Sequence, residues 1–168
     1  LKKKKVDILV NLSASPYTFK KLELRSKVSS FAAQYLQVPL IYVNQIGAND
    51  NLIFDGNSFI LDKNGSKIKQ LKSFSEDLSS WDIEQTKPQK NKFEKSEMSS
   101  IFDALVLGVR DYAQKCGFKT ALIGLSGGID SALVSAIATA ALGSNNIYCV
   151  SMPSKWSSSH SKSDAKDL

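Results

Sequence analysis

The segment that most constrains the fold of this chain is a glycine-containing turn between two apolar runs. The residues Gly124–Ser131, with the sequence GLSGGIDS, join an apolar run at Thr120–Leu125 to an Ala- and Leu-rich run at Ala132–Leu142. A further apolar run follows at Asn146–Ser151, after Gly143, and is expected to form a buried strand. The order of strand, glycine turn, helix and strand predicts a βαβ unit, with parallel strands and a right-handed crossover.

The chemistry of this turn is that of an anion site. At the start of a helix the backbone N–H groups and the positive end of the helix dipole favour a phosphate group. Gly127 and Gly128 remove side chains that would obstruct the backbone, and Ser126 and Ser131 add hydroxyl donors. Asp130 would repel a phosphate, so we expect it to hold Mg²⁺ that neutralises one. The turn has neither the Walker ending nor the Gly-x-Gly-x-x-Gly pattern, which predicts another manner of pyrophosphate binding.

Residues 1–78 show a separate globular pattern. The short apolar runs Val6–Val10 and Leu40–Val43 are typical of buried strands. Between them, a helical pattern extends from about Lys20 to Gln37. Its predicted buried stripe consists of Leu24, Val28, Phe31 and Tyr35. Pro39 ends the helical pattern.

Three further segments complete the predicted organisation. Asn57–Leu61 and Ser66–Leu71 predict a hairpin, with turn residues including Gly65 between them. Residues 79–96 have the composition of a linker, in which Trp81 is expected to contact a domain surface. From residue 97 a helix is predicted as far as Cys116, before a left-handed cap at Gly117. The predicted inner face of that helix consists of Ile101, Leu105, Val109 and Tyr112.

Composition narrows the class of protein. The net charge of +6 is a mild field that suits nucleotides, and the apolar runs are too short to predict a membrane span. Cys116 and Cys149 have no metal or redox spacing, so we expect packing residues in a reducing, cytoplasmic protein. His160, the single histidine, lies in a Ser-rich segment and is expected in a solvated loop.

Five segments resemble known families. Ser126–Ser131 looks like the motif of the ATP pyrophosphatase (PP-loop) superfamily, and Ser151–Ser158 resembles a stretch of NAD synthetases. Asn11–Tyr17, Tyr42–Gly47 and Phe54–Ser58 resemble a nitrilase-type glutaminase. A nitrilase-type glutaminase fused to a PP-loop domain is the arrangement of the glutamine-dependent NAD synthetase family. The resemblance covers almost the whole chain.

The resemblance implies an α/β fold in two parts. Residues 1–78 would be the C-terminal part of a nitrilase-like αββα sandwich, and 79–96 the linker. Residues 97–168 would begin a Rossmann-like PP-loop domain. The implied ATP-binding residues are Gly124, Leu125, Ser126, Gly127, Gly128, Ile129, Asp130 and Ser131, with Asp130 as the Mg²⁺ ligand.

The resemblance also implies the reaction and its partners. ATP and glutamine would serve the amidation of deamido-NAD to NAD by a homo-oligomeric enzyme without nucleic-acid or membrane partners. Ser15 and Lys21 match the family's glutamine contacts. The glutaminase Glu, Lys and Cys are expected upstream of Leu1, so this chain by itself is expected to be an inactive internal piece with no catalytic residue of its own. Two alternatives stay open: a tRNA-modifying PP-loop ligase, and a non-catalytic truncated remnant.

Overall fold

The structure is a computed structural model that describes residues 5–84 and 96–168. The chain divides into two compact units, Leu1–Ala104 and Leu105–Leu168, which are described separately below. In the first unit the elements are β1 (Leu9–Ser13), α1 (Lys21–Leu36), β2 (Leu40–Asn44), β3 (Ile46–Asn49), β4 (Leu52–Asp55), β5 (Phe59–Leu61) and β6 (Lys67–Gln70). A long helix, α2 (Glu97–Cys116), contains the boundary between the units.

The first unit is built on a four-stranded sheet in the order β1-β2-β5-β6. β1 and β2 are parallel, whereas β5 and β6 continue the sheet in antiparallel pairing. β3 and β4 form a separate antiparallel ribbon that follows directly from β2. The predicted hairpin is confirmed as β5 and β6, with Gly65 at φ +77° in the turn between them. The strand predicted at Val6–Val10 is found three residues later, as β1.

The core of the first unit lies between α1 and one face of this sheet. Its buried side chains alternate along the strands, as expected for one covered face: Ala33, Leu40, Tyr42, Phe59 and Leu61. The rings of Tyr42 and Phe59 stack with their centroids 4.9 Å apart. This packing orients β2 so that Asn44, its last residue, is buried at the carboxyl end of the sheet.

The helix α1 lies close to the predicted range, but the face that it buries is not the face that we predicted. The predicted inner stripe is exposed: Leu24 59%, Val28 61%, Phe31 70% and Tyr35 57%. The residues that face the sheet are Arg25, Ser29 and Ala33, which lie four positions apart on one side of the helix. Small side chains let the helix approach the strands, and Arg25 finds an ionic partner there, so packing and pairing decided the face.

The second unit contains the predicted βαβ arrangement. After α2 come β7 (Ala121–Leu125), α3 (Ile129–Leu142), a 3₁₀ turn (Ser144–Asn146), β8 (Ile147–Ser151) and α4 (Ser159–Asp167). β7 and β8 pair in parallel, and α3 packs against both strands. α3 begins at Ile129, three residues before the predicted start, so Asp130 and Ser131 belong to its first turn.

Several burial predictions for the second half of the chain are wrong. β8 is almost wholly exposed rather than buried, and Cys116 and Cys149 are exposed free thiols rather than packing residues. On α2 the buried side chains are Ala104, Val106, Leu107 and Ala113. Of the predicted inner face of α2, Leu105, Val109 and Tyr112 are exposed and Ile101 is half-buried. Periodicity located these elements but did not determine which face another layer covers.

Two smaller predictions about single residues have clear outcomes. Gly117 has φ +75° after α2, which confirms the left-handed cap. His160 is exposed as expected, but it lies in α4 rather than in a loop, because Ser158 caps a helix there. Most of the predicted linker lies outside the described residues, which resume at residue 96. In the ranges 5–84 and 96–168, none of the helices has the length and apolar character needed to span a bilayer.

Candidate functional site

The first candidate site is the turn between β7 and α3 in the second unit. The backbone N–H of Ser126 donates to the Ser131 hydroxyl at 3.3 Å, and the N–H of Gly128 donates to the Ser126 hydroxyl at 3.2 Å. The Ser131 hydroxyl in turn donates to the Gly128 carbonyl at 2.9 Å. The two serines therefore hold the turn in shape by local hydrogen bonds. By helix geometry, the backbone N–H groups of Ile129, Asp130 and Ser131, in the first turn of α3, do not bond to carbonyl groups of the same helix.

The turn is packed against α4 through Gly127. This residue has φ +79°, and a Cβ atom at its position would collide with the carbonyl oxygen of Ser161. It would also lie 2.7 Å from the Ser161 Cα. Glycine is therefore required here both for the left-handed conformation and for the close approach of α4. Gly128, with φ −92°, has neither constraint.

The eight residues predicted for ATP fall into three structural groups. Gly124 and Leu125 end β7, Ser126 to Gly128 form the turn, and Ile129, Asp130 and Ser131 open α3. Leu125 is buried, so its side chain belongs to the core, whereas Ile129 is 81% exposed. The Asp130 side chain is exposed in the first turn of the helix.

The carboxylate of Asp130 fits the donor set that a magnesium ion uses. Across the two described ranges, the side chains of His, Cys, Asp and Glu form no group of three or more that could bind a metal ion. Mg²⁺ does not need such a group when a nucleotide is present, because one or two carboxylates together with phosphate oxygens and water complete its shell. A single exposed carboxylate beside the turn is compatible with that arrangement.

The second candidate site lies in the first unit, at the carboxyl ends of the parallel strands β1 and β2. Ser15 follows β1, and Asn44 ends β2. The backbone N–H of Ser15 donates to the Asn44 Oδ1 at 2.8 Å, and the Asn44 Nδ2 donates back to the Ser15 carbonyl at 3.2 Å. Ligand sites of α/β sheets lie beyond such strand ends, and Ser15 is half-buried there.

A buried ion pair supports this strand-end site. Arg25 Nη1 lies 2.8 Å from Asp55 Oδ1, with both side chains almost completely buried. Asn44 and Asn57 also donate to the Asp55 carboxylate, at 3.4 and 2.7 Å. The remaining guanidinium donors of Arg25 go to Ser15 and to the Pro16 carbonyl. Within residues 5–84 and 96–168, each buried side-chain nitrogen and oxygen has a hydrogen-bond partner, so this network is satisfied.

The cation that contacts Ser15 is Arg25, which the sequence analysis did not name. The resemblance matches Lys21 to a contact of glutamine, not of Ser15. Lys21 opens α1 and is half-buried, and its backbone N–H donates to Thr18. Arg25 follows one turn later on the buried side of the helix. The sequence carried one indication of this: Arg25, Ser29 and Ala33 form a column of four-residue spacing that the larger apolar stripe obscured. From the sequence, Asp55 and Asn57 are indicated only as members of the segment Phe54–Ser58, which resembles a nitrilase-type glutaminase.

A tyrosine beside this network has a perturbed pKa. Burial raises the pKa of the Tyr17 phenol above its usual value of 10.0, and the negative charges of Asp55 and Glu97 add to the shift. The ring of Tyr17 meets that of Phe74 edge to face at 5.2 Å, and its backbone N–H donates to Ile53. These contacts fix the end of the segment that carries Ser15.

An open cavity of about 730 Å³ lies in the first unit, on the face of the sheet opposite α1. Ile41, Val43 and Ile60 line it from the strands, and Trp81 lines it from the start of the predicted linker. Trp81 is half-buried, so the prediction that it contacts a domain surface is confirmed. The lining is mainly apolar except near Asn44 and the 72–79 segment.

Family comparisons agree with the two units. Residues 1–90 match the family model for carbon-nitrogen hydrolases, and residues 101–168 match that for NAD synthases. The chain belongs to the carbon-nitrogen hydrolase family. The mixed α/β fold predicted from the sequence is therefore confirmed: a nitrilase-like region is followed by the start of an NAD synthase domain.

This carbon-nitrogen hydrolase chain is similar along nearly its whole length to glutamine-dependent NAD(+) synthetases. It is 49% identical to the one from Synechocystis sp., over 97% of this chain and 30% of that protein. It is 39% identical to the one from Rhodobacter capsulatus, over 96% of this chain and 30% of that protein. The predicted resemblance to this family is confirmed. The chain spans about 30% of the length of these relatives.

A solved structure gives the same result. The glutamine-dependent NAD+ synthetase from Acinetobacter baumannii, determined in complex with ADP, is 38% identical and superimposes with a TM-score of 0.91. The match covers 98% of this chain and 32% of that one. A synthetase from Cytophaga hutchinsonii shares the fold, with a TM-score of 0.83 at 20% identity.

Proposed function

We propose that the protein containing this chain converts deamido-NAD to NAD, using ATP and glutamine. The observation that carries the proposal is the joining, in one chain, of a carbon-nitrogen hydrolase segment to a glycine turn that opens a helix in an NAD synthase segment. Neither segment alone would specify both a glutamine-derived nitrogen and an activating nucleotide. Their combination supports a carbon–nitrogen ligase that couples the two.

The reaction has two steps. The carboxylate of deamido-NAD attacks the α-phosphate of ATP, and pyrophosphate leaves, so that the substrate becomes an acyl adenylate. Ammonia released from glutamine then attacks the activated carbonyl carbon, and AMP leaves as NAD forms. The role proposed for this chain in the first step is electrostatic, because preoriented donors stabilise the charge that accumulates on the departing pyrophosphate.

Within the proposed ATP site, each group of residues has a different task. The backbone N–H groups of Ile129, Asp130 and Ser131 would donate hydrogen bonds to phosphate oxygens, and the helix dipole would favour the negative charge. Ser126 and Ser131 would keep the turn in shape, since their hydroxyls already bond its backbone. Gly124 and Leu125 would contribute only backbone, because the Leu125 side chain is buried in the core.

Asp130 is the residue that would hold Mg²⁺ in this site. Its exposed carboxylate lies in the first turn of α3, next to the amides proposed for phosphate. When bound there, the metal ion would neutralise negative charge on the phosphate oxygens. Without it, the carboxylate would repel the nucleotide, so nucleotide affinity is expected to depend on the divalent cation.

The glutaminase side of the proposal rests on Ser15, with Lys21 as the second candidate contact for glutamine. A cation near the α-carboxylate would pair with it through a charge-assisted hydrogen bond. We further propose a cytoplasmic enzyme, which the two free thiols of Cys116 and Cys149 suit, and a homo-oligomer, as the resemblance implies.

The decisive experiment is ATP/pyrophosphate exchange by the full-length protein that contains this chain. Exchange is expected to require deamido-NAD and a divalent cation, and to fall when Asp130 is replaced by Asn. Lys166→Ala, in the exposed last turn of α4, is a matched control that should leave exchange unchanged. Exchange that required tRNA instead of deamido-NAD would overturn the proposal in favour of a tRNA-modifying ligase. A protein without any exchange would leave only a non-catalytic remnant.

A further inference from the structure

The first unit contains a buried arginine, Arg25, on the side of α1 that faces the sheet. Its guanidinium is buried and makes contacts in two directions. On one side it meets the Asp55 carboxylate, at 2.8 and 3.1 Å. On the other side Nε donates to the Ser15 hydroxyl at 3.1 Å, and Nη2 donates to the carbonyls of Ser15 and Pro16 at 2.9 and 3.1 Å.

These contacts determine how the Ser15 hydroxyl can be used. An arginine nitrogen can only donate, so the Ser15 oxygen accepts from Arg25. The hydrogen of that hydroxyl must then be directed to some other acceptor. Because Ser15 is half-buried at the carboxyl ends of β1 and β2, the hydroxyl can present this hydrogen to a ligand. A ligand atom that bonds to this hydrogen must be an acceptor, such as a carboxylate or amide oxygen.

Hydrogen bonds also hold the backbone of Ser15 in place. Its N–H and its carbonyl are both bonded by the Asn44 amide, which is itself bonded to Asp55. Asp55 therefore fixes both residues that hold Ser15, and Asn57 supports the same carboxylate. The planar fork of arginine can serve Asp55 and Ser15 at once, which the single point charge of a lysine cannot do with the same geometry.

We propose that Arg25 is a positioning residue for glutamine: held by Asp55, it turns the Ser15 hydroxyl into a hydrogen-bond donor aimed at an oxygen atom of the substrate. This inference rests on the proposed function for the identity of the ligand. It adds the positioning role of Arg25 and Asp55 and the polarity of the Ser15 contact. The α-ammonium group of glutamine, which can only donate, cannot accept this hydrogen.

The test uses Arg25→Lys in the full-length protein, with NAD formation measured separately from glutamine and from added ammonia. Lysine keeps the charge beside Asp55 but loses the oriented donor to Ser15. Loss of this contact is expected to raise the KM for glutamine about tenfold, the order expected for one hydrogen bond to a charged group. The KM for ammonia is expected to stay the same. Lys27→Ala, at an exposed position of the same helix, should alter neither constant.

A double-mutant cycle distinguishes positioning from general loosening. If Arg25 acts through the Ser15 hydroxyl, Arg25→Lys should produce no further rise in the glutamine KM once Ser15 is alanine. Ser15→Thr, which retains the hydroxyl, should stay close to the parent protein. Multiplicative effects of the two substitutions, or an unchanged glutamine KM in Arg25→Lys, would overturn the inference.

Two further measurements keep the outcome clear. If Arg25→Lys does not fold, the paired change Arg25→Gln with Asp55→Asn removes both charges without leaving either one buried alone. It should raise the glutamine KM in the same way, and an unchanged value would again refute the inference. A parent protein that makes no NAD from ammonia would instead refute the proposed function, and the two failures are thus distinguishable.

Discussion

The two candidate sites of this chain are built in opposite ways. The turn at Ser126 draws on eight consecutive residues, and its hydrogen bonds join atoms no more than five residues apart. The strand-end site at Ser15 draws on residues spread from 15 to 57, and its central ion pair joins positions 30 apart. The first is exposed and shaped by hydroxyl groups, whereas the second is buried and shaped by charge.

This difference has an energetic consequence. A site made from local hydrogen bonds in water can tolerate the loss of one contact, because water replaces the missing partner. A buried charge has no such substitute, and removing its partner leaves it in a medium of low polarizability. The strand-end site should therefore be the more sensitive of the two to single substitutions in stability, and the turn should be sensitive chiefly in nucleotide binding.

The largest expected effect comes from comparing two aspartates. Asp55→Ala leaves Arg25 buried without its carboxylate and should lower the free energy of unfolding of the first unit by about 3–5 kcal/mol. Asp130→Ala, at an exposed position, should change the stability of the second unit by less than about 1 kcal/mol. Hydrogen exchange in urea, followed in peptides from β2 and β5 and from α3 of the full-length protein, measures both. Equal effects would remove the contrast between the sites.

The second prediction separates backbone strain from steric collision at two glycines. Gly117 and Gly127 have nearly the same φ, +75° and +79°, but a Cβ at Gly117 meets no atom within 4 Å, whereas one at Gly127 meets Ser161. Gly117→Ala should cost only the left-handed conformation, about 1–2 kcal/mol. Gly127→Ala should cost more and should also raise hydrogen exchange in α4. If α4 were unaffected, its close packing against the turn would be incorrect.

The third prediction tests whether the serine hydroxyls shape the turn. Ser131→Ala removes the hydroxyl that accepts from Ser126 and donates to Gly128, and should weaken ADP binding by about tenfold, the order of one hydrogen bond. Titration calorimetry of the full-length protein with Mg²⁺ present provides the measurement. Ser144→Ala, an exposed serine in the 3₁₀ turn, serves as the control. Unaltered affinity in Ser131→Ala would mean that the amides keep their orientation without it.

The smallest effect is a pH dependence that belongs only to the first unit. Because the pKa of Tyr17 is raised in the folded protein, the folded state holds its proton more tightly than the unfolded chain does. This contribution is complete below the unfolded pKa, near 10, and is lost as the pH rises through the folded value. Tyr17→Phe should flatten the fall in first-unit stability above pH 10, measured by the same hydrogen exchange. A slope unchanged by the substitution would contradict the shift.

The sequence predicts the site made of consecutive residues better than the site made of residues that are far apart in the chain. Glycines, serines and an aspartate in consecutive positions indicated the turn, and only the start of α3 was placed three residues too late. The strand-end site could be predicted only in pieces. The resemblance named Ser15, but nothing in the sequence analysis named Arg25, because the larger apolar residues beside it form the stronger helical stripe.

The hairpin, the parallel βαβ unit and the glycine cap at Gly117 depend on the local chain, and the sequence by itself determined them. Tertiary structure alone decided which face of α1 is covered, which strands are buried and which charges meet. An amphipathic pattern expresses how much apolar surface a helix has, but not what lies opposite it. In this protein the buried face of α1 consists of an arginine paired with Asp55 and of small residues. Four large apolar side chains of the same helix are exposed.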